Sequence, residues 1–469
     1  MVLNAAAAPE KSLHSALPGD RTIRLRIPLL PTLEFEPHRL AANLSIIALI
    51  VLCALAPLMS FKPAPFTGDG SPARQMAYGI LLMVTLYAAA PMQDIRRLFI
   101  LPFSLTLVLI WCWLSLSWSL QSDIALRRLL LTTIVIWSIF LMVARAGYRP
   151  SLTTIRWCLI LILIANYIAV LATPAIGIHQ PGEVGDEALI GNWRGVMIQK
   201  NFAGAICAFT IMIFSFDARD VRKFVRLAVI VGAAFFLVKS MSKTSMGIMV
   251  LAMLCGSLFL FYNPRFRLLL VPIFTILIVV IGLGMFLNWE TITAPYYSRD
   301  ALTGRVQIWP AMFAYAQNHL MMGTGYGSFW NIGLGKSPIF EYANGWIVTY
   351  ASQGHNGYID LLVTIGLPGL ILTILATLVV PIIQLLASLT ISRQTGALLI
   401  SFIIFAAGHN MTESSLMDRD TIVQIFLMIG LALTREALRK ERTEPVHGAA
   451  PRPARPTPPP FRTAAPHRQ

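Results

Sequence analysis

The chain has 469 residues, 56% of them hydrophobic and only 13% charged, with a mean hydropathy of +0.68. A soluble domain carries about 25% charged residues, so a soluble globular protein is excluded and an all-α polytopic membrane protein is expected. The formal net charge of +15 is no argument for a nucleic-acid partner, because basic residues crowd cytoplasmic loops for reasons of orientation alone.

Residues 1–40 form a basic, Pro-containing segment with no apolar core of its own. Charges interrupt it as far as Arg39, so it reads as a cytoplasmic tail before an uncleaved first span, not as a cleavable signal peptide. A membrane domain is expected over 41–435. A span needs about 20 mostly apolar residues, and about twelve stretches qualify: 41–59, 76–92, 98–117, 128–144, 155–173, 201–216, 225–241, 245–262, 268–288, 358–388, 396–408 and 421–435. The stretch from Tyr358 is too long for one straight helix, and Gly366-Leu367-Pro368-Gly369 predicts a break in it. The five cysteines all lie in apolar runs without CxxC spacing and read as small core residues. Residues 436–469 turn basic and Pro-rich, a composition that reads as a disordered cytoplasmic tail.

With the amino terminus inside and sides alternating, the inner loops and tails hold about two-thirds of all Lys and Arg, as the positive-inside bias requires. The polar stretch 289–354 then forms a large loop on the outer face. The remaining basic residues have no orientational reason to be where they are. They are Arg127, Arg128, Arg194, Lys200, Lys243, Arg299 and Arg305. Snorkelling, or pairing with Asp123, Asp186 or Asp300, is the ordinary account of any one of them. As a group they point to an anionic ligand at the outer face.

A lipid-linked diphosphate fits such a site. Arginine forks match phosphate oxygens, and neutralising the departing diphosphate can replace a metal. The chain has no DxD, no HExxH and no Cys/His spacing of metal type, so neither metal nor cofactor is expected. An attacking hydroxyl needs a base, for which histidine is suited. His14, His38, His447 and His467 fall in the tails, leaving His179, His319, His355 and His409. His355 opens a span, where the helix dipole favours the neutral ring that a base requires, and Asn356 beside it can cap that helix. His409 closes a span and reads as structural or phosphate-side. Glu413 reads as the partner of an outer Arg or as an orienter of His409. Gly323-x-Gly325-x-Gly327 reads mainly as tight turns, with Tyr326 and Phe329 free to stack on a sugar.

Taken together, these residues resemble the O-antigen ligase and polysaccharide polymerase superfamily, especially bacterial exopolysaccharide polymerases of the ExoQ type. The motifs that carry the likeness are Trp118-Ser119 with Arg127-Arg128, Gly191-Asn192-Trp193-Arg194-Gly195 leading to Lys200-Asn201, and Gly304-Arg305 with Trp309. Gly323-x-Gly325-x-Gly327, His355-Asn356-x-Tyr358 and Asn410-x-Thr412-Glu413 complete the set. The resemblance implies a GT-C-like membrane glycosyltransferase that moves glycan from an undecaprenyl-diphosphate carrier on the periplasmic face of the inner membrane, without metal. It implies that Arg194 and Arg305 hold the diphosphate and that His355 is the base. Members of that superfamily often carry a Glu in the helix after the His-Asn pair where this chain has Thr364; if that Glu tunes the base in them, the tuning here differs.

The expected activity is polymerisation of lipid-linked oligosaccharide units into exopolysaccharide. The expected partners are the polyprenyl-diphosphate-linked oligosaccharide, membrane lipid and other exopolysaccharide assembly and export proteins. A ligase transferring finished glycan to a lipid or protein acceptor shares the same donor chemistry. A transporter is the alternative of another class, but it would show midplane ionisable groups and internal repeats, whereas the polar residues here gather at one boundary. A catalytically silent assembly partner is the remaining reading.

Overall fold

The computed structural model of the protein describes residues 23–25, 33–59, 71–182, 189–288, 291, 307–333, 335–343, 347 and 351–443. Helices lie on each of the twelve apolar stretches. In chain order they are α1 (Pro37–Met59), α2 (Pro72–Ala89), α3 (Phe103–Leu114), α4 (Ser122–Ala146), α5 (Tyr148–Ala172), α6 (Lys200–Ser215) and α7 (Lys223–Ser240). There follow α8 (Lys243–Phe261), α9 (Arg267–Leu287), α10 (Trp309–Asn318), α11 (Gly357–Ile374), α12 (Val380–Ala387), α13 (Arg393–His409) and α14 (Ile422–Thr443). Six helical segments among the described residues are long and apolar enough to cross a membrane. They are Pro37–Ala54, Ser122–Ala146, Tyr148–Ala172, Lys243–Phe261, Pro264–Gly284 and Gly357–Ala387. Phe103–Trp118 and Lys200–Ser215 are apolar but shorter. The structure is therefore that of a multi-pass membrane protein, with half the expected spans meeting both length and hydropathy.

Two tail boundaries differ from expectation. At the amino-terminal end, α1 starts at Pro37 within the expected tail, and the Arg39 guanidinium sits 2.6 Å from Glu36. Upstream, Ile23–Leu25 (β1) pairs antiparallel with Leu33–Phe35 (β2). At the other end, α14 continues through Glu436 to Thr443, so the segment from 436 is not structureless throughout. Glu436 is buried and lies within ion-pair distance of Arg435 and Arg439, while Ala437 packs on the core. Burial of that turn extends a helix whose composition alone argues for its ending.

Packing is tightest where small residues meet. Gly256 of α8 faces Ser401 and Ala397 of α13, and Gly396 of α13 faces Phe259 of α8. Small side chains let helix backbones approach closely, which replaces the missing hydrophobic drive in lipid. Phe209 of α6 nests against Phe402, Phe405 and Phe426, with ring centroids 4.5–5.0 Å apart, and locks α6, α13 and α14 together.

Polar groups collect at the two ends of this bundle. α6 runs 16 residues, about 24 Å, from Lys200 to Ser215, and α13 runs the opposite way from Arg393 to His409. One end holds Asp217, buried, with its carboxylate accepting from Tyr148 Oη at 2.7 Å and Thr395 Oγ1 at 3.1 Å. Arg149 approaches it at 2.9 Å. Arg156, also buried, donates through Nη1 to both Asp220 oxygens at 2.9 and 3.0 Å and through Nη2 to the Asp217 carbonyl at 2.6 Å. Arg149 and Arg156 thus staple this end of the bundle. The other end holds Asn201 and His409.

The break expected in α11 falls at Gly366, whose φ of 69° interrupts the helix, and a π turn at Leu375–Val379 joins α11 to α12.

Candidate functional site

The turn before α11 is held from several sides. Asn356 caps the helix, its Oδ1 accepting from the Tyr358 and Ile359 backbone N–H groups at 3.1 and 3.2 Å. Its amide donates to the Met411 carbonyl at 3.2 Å, so both ends of this side chain serve the turn. Trp309 Nε1 donates to the Gly354 carbonyl at 2.9 Å. Asp360, in the first turn of α11, accepts from Trp330 Nε1 at 2.6 Å, from the Gly354 N–H at 3.2 Å and from Ser414 Oγ. The Gly357 N–H meets the carbonyls of Asn410 at 2.9 Å and Glu413 at 3.1 Å. Tyr358 donates its hydroxyl to the Ala407 carbonyl at 2.8 Å, fastening α11 to α13.

His355 rides on this turn with a φ of 51°, a left-handed conformation that costs a non-glycine residue on the order of 1–3 kcal/mol. Its Nδ1 lies 3.5 Å from Glu413 Oε2 and 3.3 Å from the Gln353 amide nitrogen. The ring is 23% exposed, whereas the Glu413 side chain is 9% exposed. Glu413 Oε1 accepts from Asn201 Nδ2 at 2.6 Å. Beyond Asn201 the polar chain continues: Ser242 Oγ lies 3.2 Å from Asn201 Oδ1, Ser245 Oγ 3.0 Å from Ser242 Oγ, and His409 Nε2 3.4 Å from Ser245 Oγ. A partly exposed histidine is thereby linked through one carboxylate and three neutral polar side chains to a histidine that is 2% exposed.

Glu413, expected to pair with an outer Arg or to orient His409, stands against His355. Glu413 reaches His355 from the α13–α14 connection, while Thr364 bonds back to the Asp360 carbonyl at 2.6 Å. Asp360 is a second acid beside this turn that the sequence reading passed over. The helix dipole is therefore not the only field acting on His355.

The cations divide by position. Lys200 opens α6 next to Asn201, and its backbone N–H donates to His179 Nε2 at 3.3 Å. Lys243 opens α8 next to Ser242 and is exposed. Both therefore flank the buried polar chain. Arg194 donates through Nε to the Ile176 carbonyl at 2.8 Å, and its own N–H bonds to Gly177 O. Arg128 spans the carbonyls of Gly327 at 2.5 Å, Trp330 at 2.7 Å and Asn331 at 2.8 Å. That guanidinium clamps the loop 327–331, whereas Arg127 is exposed and bonds within its own helix. Arg305 and Arg299 lie outside the described residues. Two cations overlooked in the sequence, Arg74 and Arg419, sit near α14: Arg74 pairs with Asp420, and Arg419 neighbours Asp418.

The glycine motif is a set of close approaches. Gly325 has a φ of 88°, and a Cβ there would stand 2.7 Å from Ser119 Cα. Tyr326 and Phe329 are not free to stack on sugar. Tyr326 is buried, its hydroxyl donating to the Met417 carbonyl at 2.5 Å and lying 2.7 Å from Thr132 Oγ1. Phe329 is fully buried against Tyr315 and Trp330. The backbone turns that the glycines allow point these rings inward.

A histidine whose Nδ1 faces a carboxylate presents Nε2 as an acceptor for a hydroxyl proton. Cationic helix starts beside it suit an anionic leaving group. Residues 227–374, about a third of the chain, match the family model described as O-antigen ligase. This match supports the O-antigen ligase and polysaccharide polymerase superfamily. It spans α7 to α11 and so includes Lys243 and His355, while Asn201, His409 and Glu413 reach the site from outside it. No curated protein matches the chain.

Proposed function

We propose that the protein is an inner-membrane glycosyltransferase of GT-C type, which joins polyprenyl-diphosphate-linked oligosaccharide units into exopolysaccharide at the periplasmic face. The observation that carries this reading is the His355–Glu413 contact at 3.5 Å, beside helix starts bearing Lys200 and Lys243. Glu413 holds the ring so that Nε2 takes the proton of the acceptor hydroxyl. The acceptor oxygen forms its bond to the anomeric carbon as the bond to the diphosphate oxygen breaks, and the electron pair leaves with the polyprenyl diphosphate. Lys200, Lys243, Arg194 and Arg305 meet that negative charge, so the reaction proceeds without metal. Arg128 serves the loop rather than the leaving group.

The O-antigen ligase match at residues 227–374 favours a second reading, transfer of finished glycan to a lipid or protein acceptor by the same donor chemistry. The lipid-linked glycan pool of cells lacking the protein separates the two. Single repeat units on the carrier are the outcome for a polymerase of the exopolysaccharide type, and long chains left on the carrier are the outcome for a ligase. An unchanged pool contradicts both.

A further inference from the structure

The connection from α10 to the glycine motif meets α11 inside its apolar length, not at its start. In a continuous helix the Leu367 N–H would donate to the Val363 carbonyl, four residues earlier. Here Gly366 breaks the helix, and the loop takes both halves of that lost bond. The Thr324 N–H donates to the Val363 carbonyl at 2.9 Å, and the Leu367 N–H donates to the Leu320 carbonyl at 2.8 Å. The approach is close enough that a Cβ on Gly366 would stand 2.3 Å from the Met321 carbonyl oxygen.

Two tryptophans of the segment Phe103–Trp118 hold the same junction. Trp118 Nε1 donates to the Met322 carbonyl at 3.0 Å, and Trp111 Nε1 donates to the Ile365 carbonyl at 2.8 Å. The segment Gly357–Ala387 has 31 residues, about 46 Å at 1.5 Å per residue, and overruns a bilayer core of about 30 Å. Leu367, roughly 15 Å from its start, falls at the edge of that core when the far end of the segment fills it. Non-helical backbone at that depth survives only where its polar groups find partners, and the exchange at Gly366 supplies them. The tip itself is apolar and uncovered: Leu320 is 39% exposed, Met321 60% and Met322 53%. Leu114 and Ile371, on the apolar helices that hold the junction, are also exposed.

We infer that Leu320–Met322 is a re-entrant tip whose side chains lie among lipid acyl chains. The tip anchors the loop that carries Gly323–Asn331 to the membrane-crossing segment Gly357–Ala387. This assignment rests on the membrane-crossing character of that segment and is independent of the glycosyl-transfer reading.

Nitroxide labels at Met321→Cys and Met322→Cys, in the full chain reconstituted in bilayers, test it. Ile371→Cys is the lipid-facing reference and Gln317→Cys, on the exposed end of α10, the water-facing one. Unmodified protein carried through the same labelling gives the background from native cysteines. The expected result is high collision with oxygen and low collision with a water-soluble nickel chelate at both methionine positions, as at Ile371→Cys. Nickel accessibility equal to that at Gln317→Cys would place the tip in water and overturn the inference. Shielding from both reagents would mean cover by protein and would overturn it equally.

Discussion

His355 Nδ1 faces Glu413 Oε2 at 3.5 Å, and Asn201 grips the other oxygen of that carboxylate at 2.6 Å. The orienting group for the candidate base therefore arrives from a different connection and is itself held by a third helix.

Glu413→Gln should weaken catalysis without removing the base. A hydrogen bond to a charged group contributes about 1.5–3 kcal/mol, which corresponds to a turnover loss on the order of 10- to 100-fold. Asn201→Ala should give a smaller loss in the same direction. Turnover by purified variants with a synthetic polyprenyl-diphosphate donor measures both. Equal activity of Glu413→Gln and the parent would show the contact to be incidental.

Arg128→Gln should loosen the loop 327–331, because three carbonyls lose one charged donor group. Hydrogen exchange in detergent should rise over that loop in Arg128→Gln and stay unchanged in Arg127→Gln, whose side chain is exposed. The same exchange in both variants would assign the two arginines a common role.

Gly325→Ala and Gly335→Ala separate strain from collision. Both residues have positive φ, 88° and 69°, but among the described residues a Cβ meets close neighbours at Gly325 and none at Gly335. A non-glycine residue in that conformation costs on the order of 1–3 kcal/mol. Gly335→Ala should show that cost alone as a lowered thermal midpoint, and Gly325→Ala a larger drop or failure to accumulate.

Asp217→Asn at the far end should lower stability while leaving turnover per folded molecule intact. Breaking a buried charged pair costs about 3–5 kcal/mol, and the cost here falls below that range because Arg149 is half exposed. Thermal unfolding in detergent should show the drop. A loss of turnover in the protein that remains folded would tie the two ends of the bundle together functionally.

Much of the architecture was legible because it is local. Apolar runs marked each long helix, Gly366 marked the break in α11, and Asn356 read as a cap from its place before the span. What escaped was long-range. Glu413 meets Asn201 across 212 residues, and no periodicity reports such a pairing. Loop direction was equally hidden: Tyr326 and Phe329 looked available for sugar until the positive-φ glycines turned them inward. Counting charges by side also missed that Arg156 is buried and staples α5 to the end of α6, because topology rules address where a cation lies and not what it touches. Arg305 belongs to a stretch outside the described residues.

The central claim is that His355 takes the acceptor proton. The most direct measurement compares turnover and donor affinity for His355→Ala and His409→Ala, with purified protein and a defined polyprenyl-diphosphate donor. General-base catalysis is worth roughly 10²–10⁴ in rate, so His355→Ala should nearly abolish transfer while donor affinity survives. His409→Ala, altered at the buried end of the polar chain, should lose less. Near-normal turnover in His355→Ala with an inactive His409→Ala would contradict the assignment.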